Sequence, residues 1–220
     1  MPATLPDIIH VDKKNPTVDS PNSSFEIPFY KDNEYLANLE NFVSFIKSVE
    51  SLVRRHDDYK KYIVYIREVV GLDRCQVLGN IHSADEKEHT KLEMHHGPIL
   101  TLFDLAVIIT DWALVNRQKV TTFKIAEILL NEHFNNNVQV TMLSTTIHEQ
   151  VHEGNVWLNM KQAFGDIHTF ITKYKDGLDR THIEKINRYI EKSIEQDSYH
   201  NGVLELNEFV KSWNSENMGE

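Results

Sequence analysis

The sequence predicts an α+β fold that is mainly helical and contains one small β-hairpin followed by a helix. Apolar residues recur at helical spacing over several long segments. The first such stripe consists of Leu36, Leu39, Phe42, Val43, Ile46, Val49 and Val53. Two short segments with strand-like composition, residues 75–81 and 92–96, flank a polar stretch, which is the pattern of a hairpin with a long connection. Helices around one small sheet indicate the α+β class.

Composition and periodicity divide the chain into four regions. The N-terminal region holds five of the six prolines and shows little periodicity, so we expect an extended or disordered segment there. An N-terminal helical region, a core with the hairpin, and a C-terminal helical region follow. Within the core, residues 98–136 predict a helical insertion, because Leu102–Ala113 is apolar around most of a helix. The four regions are residues 1–30, 31–74, 75–159 and 160–220.

The bulk composition is that of an ordinary globular protein. Hydrophobic residues make up 40% of the chain and charged residues 25%. No apolar run reaches the length of a membrane span, and the N-terminus lacks the order of a secretory signal. The single cysteine, Cys75, excludes an internal disulfide framework. We therefore expect a cytoplasmic protein without membrane contact.

The net charge of −10 is unevenly distributed. Residues 1–50 carry 8 acidic and 4 basic side chains, and residues 176–220 carry 10 acidic and 5 basic. Residues 54–74 instead carry 6 basic against 4 acidic side chains, so the middle of the chain could present a basic face. The acidic helical ends are expected to bind a protein partner or to form a homo-oligomer.

Four histidines in two segments suggest a metal site with one imidazole left for chemistry. His95 and His96 end a strand-like run, and His148 and His152 stand four residues apart. On a helix, such a pair lies on one face, one turn apart, where a single ion can bind both imidazoles. The other histidines are expected to be surface residues or satisfied core residues.

These residues resemble the HNH, or ββα-metal, endonuclease family, in the colicin-type variant with His-His on a hairpin strand and two histidines on the following helix. The resemblance implies that His95, His148 and His152 hold a metal ion and that His96 is the general base. It also implies a family asparagine, for which we choose Asn137, although residues 135–137 fit a simple turn equally well. The helical insertion departs from the short loop of many members.

The resemblance implies a metal-dependent endonuclease that hydrolyses phosphodiester bonds, with DNA a better candidate substrate than RNA. The expected cofactor is a divalent ion, Mg, Mn, Ni or Zn, which would offset charge at the scissile phosphate, while a histidine of ordinary pKa activates water. A phage or mobile-element origin follows by analogy, with action in the host cytoplasm. The phosphate contacts proposed from sequence are Arg54, Arg55, Lys60, Lys61, Arg74 and Lys91.

Two alternatives remain open. The same cluster could be a structural metal site in a catalytically inactive protein that works by interaction. The segment from His148 to His152 also reads H-E-x-x-H, the motif of zinc metalloproteases, in which Glu149 would be the general base. That motif is short and gives no role to His95 and His96.

Overall fold

The structure is a computed structural model that describes residues 31, 33–82, 91–196 and 201–217. The predicted N-terminal segment, residues 1–30, lies outside the described residues, as does most of the polar loop after residue 82. The described residues form nine α-helices and two β-strands. The helices are α1 (Asn33–Ala37), α2 (Leu39–Arg55), α3 (Asp57–Glu68), α4 (Leu102–Val115), α5 (Thr122–Phe134), α6 (Thr145–His152), α7 (Ile167–Lys173), α8 (Arg180–Glu195) and α9 (Asn201–Asn217), and the strands are β1 (Leu92–His96) and β2 (Val140–Ser144).

The fold class agrees with the sequence prediction at the level of a mainly helical chain with one small antiparallel sheet. The observed strand pairing differs from the predicted one. β1 pairs with β2, and their register runs from Leu92 opposite Ser144 to His96 opposite Val140. The predicted partner, residues 75–81, forms a turn in which the Cys75 amide donates to the Ile81 carbonyl. The hairpin prediction was wrong because it assumed that the nearest strand-like neighbour is the partner.

The segment between the two paired strands is helical and supplies the centre of the core. Thr101 and Asp104 form a capping box at the start of α4, where the hydroxyl accepts from the Asp104 amide and the carboxylate accepts from the Thr101 amide. Helix α4 packs against α2 and α5, and most of its apolar side chains are buried. The two strands are thus brought together across a packed helical pair.

The C-terminal region encloses the other side of α4. Gly177 lies in a short 3-10 turn where a Cβ atom would stand 2.1 Å from the Ile108 carbonyl oxygen, so only glycine allows this approach. Helices α8 and α9 pack against each other. Helix α9 begins at Asn201 and runs to Asn217.

One hydrophobic cluster joins the described regions, with buried members from Leu36 on α1 to Val210 on α9. Sequence periodicity predicted one helix over residues 35–55, but Asn38 divides it and caps α2 through its side chain. Among the described residues, no helix combines the length and the apolar composition that crossing a bilayer requires.

Candidate metal centre

Three histidines from two elements converge on one point of the surface. His95 comes from β1, and His148 and His152 come from α6. One ring nitrogen from each lies within 4.8 Å of the other two. The ring centroid of His95 is 5.1 Å from the centroid of each of the other two imidazoles. These are the three residues that the sequence suggested as metal ligands.

The local fold explains this convergence. Helix α6 begins directly after β2, beside Leu92 on β1, and it packs along β1. Side chains alternate along a strand, so Glu93 and His95 share the face of β1 that α6 covers. Two histidines four residues apart face the same side of a helix. The pairing of β1 with β2 therefore brings the three imidazoles together.

Glu93 contacts one histidine of the cluster, His148, without belonging to the cluster. Its Oε2 lies 2.7 Å from Nδ1 of His148. If the carboxylate accepts the Nδ1 proton, the lone pair of His148 is on Nε2, which lies 3.1 Å from Nε2 of His152. Two nitrogens bound tetrahedrally to one zinc ion stand about 3.4 Å apart, given bonds of about 2.1 Å. A carboxylate behind a ligating histidine is the usual outer shell of such sites.

The electrostatics of His95 favour the neutral imidazole that a metal ion requires. Burial, together with the neighbouring positive charges of His148 and His152, lowers the pKa of His95 to about 4. Three imidazoles suit zinc, copper, nickel or iron, whereas magnesium prefers oxygen ligands. The donor set thus fits a transition-metal ion better than magnesium, which was among the ions expected from the sequence.

Gly97 leaves room for the ring of His95. Its φ angle is +152°, and a Cβ atom at this position would lie 2.9 Å from Nε2 of His95. Any other residue would strain the backbone and push the imidazole away from its place. A glycine directly after two histidines was visible in the sequence, but its role depends on a contact that spacing alone does not reveal.

His96 does not join this cluster. It is buried on the opposite face of β1, where its Nε2 lies 2.9 Å from Nε2 of His133 and Tyr59 stacks on its ring. Nδ1 of His133 lies 2.6 Å from the Leu129 carbonyl and donates to it, so the Nε2–H of His96 donates to His133. Burial holds the pKa of His96 well below its usual range and lowers that of His133 to about 4.

Asn137 takes part in a structural network. Its Nδ2 donates to Oε2 of the buried Glu132 at 2.6 Å. The other carboxylate oxygen accepts from Nζ of Lys173 at 2.5 Å and from the hydroxyl of Tyr174 at 2.8 Å. These donors lower the pKa of Glu132 against the opposing effect of burial. The asparagine expected near the metal thus helps to fix the carboxylate of Glu132, which Lys173 and Tyr174 also contact.

Most of the six basic residues proposed from the sequence have partners of their own. Ion pairs join Arg54 to Glu50, Lys60 to Asp57, Lys61 to Asp58 and Arg74 to Asp73. The guanidinium of Arg55 donates to the Ser51 carbonyl. None of the six lines the groove beside His95.

That groove is lined by a different basic set, which sequence reasoning missed. It has a volume of about 440 Å³ and runs from His95 to three basic residues on α8. Their spacing of three and then four residues places them on one helical face, a signal that was readable in the sequence. The three residues are Lys185, Arg188 and Lys192.

The surroundings of the H-E-x-x-H motif give little support to a zinc protease. Helix α6 spans only eight residues, and none of them is buried. Glu149, which would be the general base of a zinc protease, is exposed. Its neighbours in the motif, His148 and His152, serve the three-histidine cluster with or without it.

Comparison with known proteins gives one assignment. The profile of the bacteriophage G278-like virion proteins matches residues 3–217. The chain belongs to the bacteriophage G278-like virion protein family. The phage association expected from the sequence is therefore confirmed for this G278-like virion protein. No curated protein and no solved structure matches the chain.

Proposed function

We propose that this G278-like virion protein binds one divalent transition-metal ion through His95, His148 and His152, and that the ion fastens α6 to the two-stranded sheet. The observation that carries the proposal is the approach of the three imidazole nitrogens to within 4.8 Å. Because no residue of α6 is fully buried, an ion shared by its two histidines with His95 would add to the limited packing that holds α6 on the sheet. The protein would thus be a metal-stabilised component of the phage particle.

Thermal unfolding with and without metal tests this function. Zinc added at about one hundred times its Kd stabilises the folded state by about 2.7 kcal/mol. We expect EDTA to lower the melting temperature by several degrees and zinc to restore it. His152→Ala, at an exposed ligand, should abolish the response, whereas the matched variant His168→Ala on α7 should retain it. Identical zinc responses in the wild type and in His152→Ala would contradict the proposal.

Hydrolysis of phosphodiester bonds by the same site is the second candidate. The supporting observation is that three histidines lie close enough to bind one ion and that His95 also lines the groove with basic residues. A bound ion with three protein ligands can take further oxygen ligands and lower the pKa of bound water. Glu93 would orient His148, and Arg188 and Lys192 would attract the anionic substrate.

The position of His96 does not favour its role as the general base of a nuclease. His96 would have to leave His133 and turn toward the other face of β1 to reach the same water. Nicking of plasmid DNA with Zn²⁺, Ni²⁺, Mn²⁺ or Mg²⁺ decides the question when the wild type is compared with two variants. Activity lost in His148→Ala and in His96→Ala supports the nuclease with that base. Activity retained in His148→Ala would remove the metal site from the reaction.

The same preparations test the protease alternative. Casein cleavage that is lost in Glu149→Gln but kept in His96→Ala would favour a zinc protease. Absence of both activities with every metal, together with zinc-dependent stability, would leave the metal-stabilised particle protein as the function.

A further inference from the structure

The groove beside the candidate metal centre combines an apolar floor with a basic edge. Ile99 and Leu158 are buried beneath it, and Val156 and Trp157 are partly buried. The indole of Trp157 stacks on Tyr189 of α8, with ring centroids 5.6 Å apart and planes 26° apart. This floor is therefore fixed in place by aromatic packing.

The three cations on the edge differ in their availability. Lys185 is engaged by the buried Asp104, whose Oδ1 lies 2.6 Å from its Nζ. Lys192 meets Glu195 at 3.3 Å, but both side chains are exposed, so this pair contributes little. Arg188 is exposed and has no ion pair within the described part of the chain. Two cations thus remain to receive a ligand's negative charge.

We propose that this groove docks a short segment of another particle protein, in which acidic residues flank an apolar side chain. The apolar side chain would lie on the floor near Trp157, and carboxylates would pair with Arg188 and Lys192. This goes beyond the proposed metal function, because the docking needs no ion.

Charge complementarity favours an acidic peptide over a nucleic acid. A polyanion needs many cations, whereas only Arg188 and Lys192 remain available in this groove. A strand of nucleic acid also needs a free aromatic face on which its bases stack, and here Trp157 and Tyr189 already stack on each other. One or two carboxylates on an otherwise apolar segment match what the groove offers.

Fluorescence anisotropy with labelled probes tests the docking. The probes are a short peptide of alternating glutamate and leucine, its lysine–leucine counterpart, and a single-stranded oligothymidine. We expect the wild type in EDTA to bind the glutamate–leucine peptide about tenfold more tightly than either of the other probes, a difference of about 1.4 kcal/mol.

Two charge-matched variants locate the site. Arg188→Glu combined with Lys192→Glu should weaken binding of the acidic peptide about tenfold, whereas Arg55→Glu combined with Lys61→Glu should change it less than about twofold. If the first variant does not fold, Arg188→Gln with Lys192→Gln replaces it, and the same loss is expected. Equal loss in both double variants, tighter binding of the oligothymidine, or no preference for the acidic peptide would overturn the proposal. Failure to bind zinc would overturn the metal function alone.

Discussion

Oε2 of Glu93 lies 2.7 Å from Nδ1 of His148, across the contact between β1 and α6. This contact orients the imidazole of His148, which lies on the short surface helix α6. The contact comes from β1, whose residues are mostly buried. It also directs the other nitrogen of His148 toward His152. The metal affinity of the site should therefore depend on a residue that is not itself a ligand.

Glu93→Gln should weaken zinc binding about tenfold, because outer-shell carboxylates typically contribute ten- to one-hundred-fold in affinity. The measurement is a competition titration with a zinc-binding dye. Glu149→Gln is the matched control, since it makes the same change at an exposed position between His148 and His152. Equal affinities for the wild type and Glu93→Gln would mean that the carboxylate does not orient the ligand.

Gly97→Ala should weaken zinc binding by about tenfold or more, because the new Cβ would displace the ring of His95. Gly71→Ala is the control, since Gly71 also has a positive φ but nothing lies within 4 Å of its added Cβ. Gly71→Ala should lower the free energy of unfolding by about 1 kcal/mol without altering zinc affinity. Metal affinity equal in both variants would argue against the steric role of Gly97.

Asn137→Ala should act on stability. It removes a donor from the buried carboxylate of Glu132, which we expect to cost about 1 to 2 kcal/mol of the free energy of unfolding. Urea denaturation measures this loss, with the exposed Asn135→Ala as the control. If phosphodiesterase activity is found, Asn137→Ala should keep it under conditions where the variant is folded. A selective loss of activity with unchanged stability would restore the catalytic assignment of Asn137.

Asp111→Asn should make the protein more stable at neutral pH. Burial, helped by the charge of Asp179, raises the pKa of Asp111 to about 6, whereas its value in the unfolded chain is near 3.8. The folded carboxyl holds its proton more tightly than the unfolded one, so its ionisation costs stability above about pH 6, and the cost disappears below about pH 4. After allowance for partial exposure, we expect a gain of about 1 kcal/mol at pH 7.

Denaturation of Asp111→Asn at pH 7 and pH 3.5 checks the sign of this effect. The gain should be present at pH 7 and absent at pH 3.5. The exposed Asp176→Asn should show no such dependence. A gain of the same size at both pH values would mean that ionisation of Asp111 is not its cause.

The sequence identified the three clustered histidines because each element's own period sets the positions of its side chains. The spacing of His148 and His152 is a helical repeat, and His95 ends a strand. The apolar stripe that runs along α2 to Val53 follows from the same local rules. The coarse fold class followed from them, since helical stripes dominate the chain and only short strand-like segments interrupt them.

What the sequence did not reveal depends on contacts between distant segments. The pairing of β1 with β2 passes over more than forty intervening residues, so local pattern favoured the nearer but wrong partner. The side chain of His96 points toward His133 on α5. Nothing in the sequence distinguishes His133 from an ordinary helical histidine. The groove forms only when α8 packs near β1. Its basic residues also lie in a region whose net charge is negative, so composition did not single them out.

The metal centre is tested most directly by zinc stoichiometry combined with X-ray absorption on the purified protein. We predict about one zinc ion per chain, with three imidazole nitrogens at about 2.0–2.1 Å from it. The variants His95→Ala, His148→Ala and His152→Ala should each lose that ion. A chain that retains no zinc after dialysis, or that binds zinc equally well without these histidines, would contradict it.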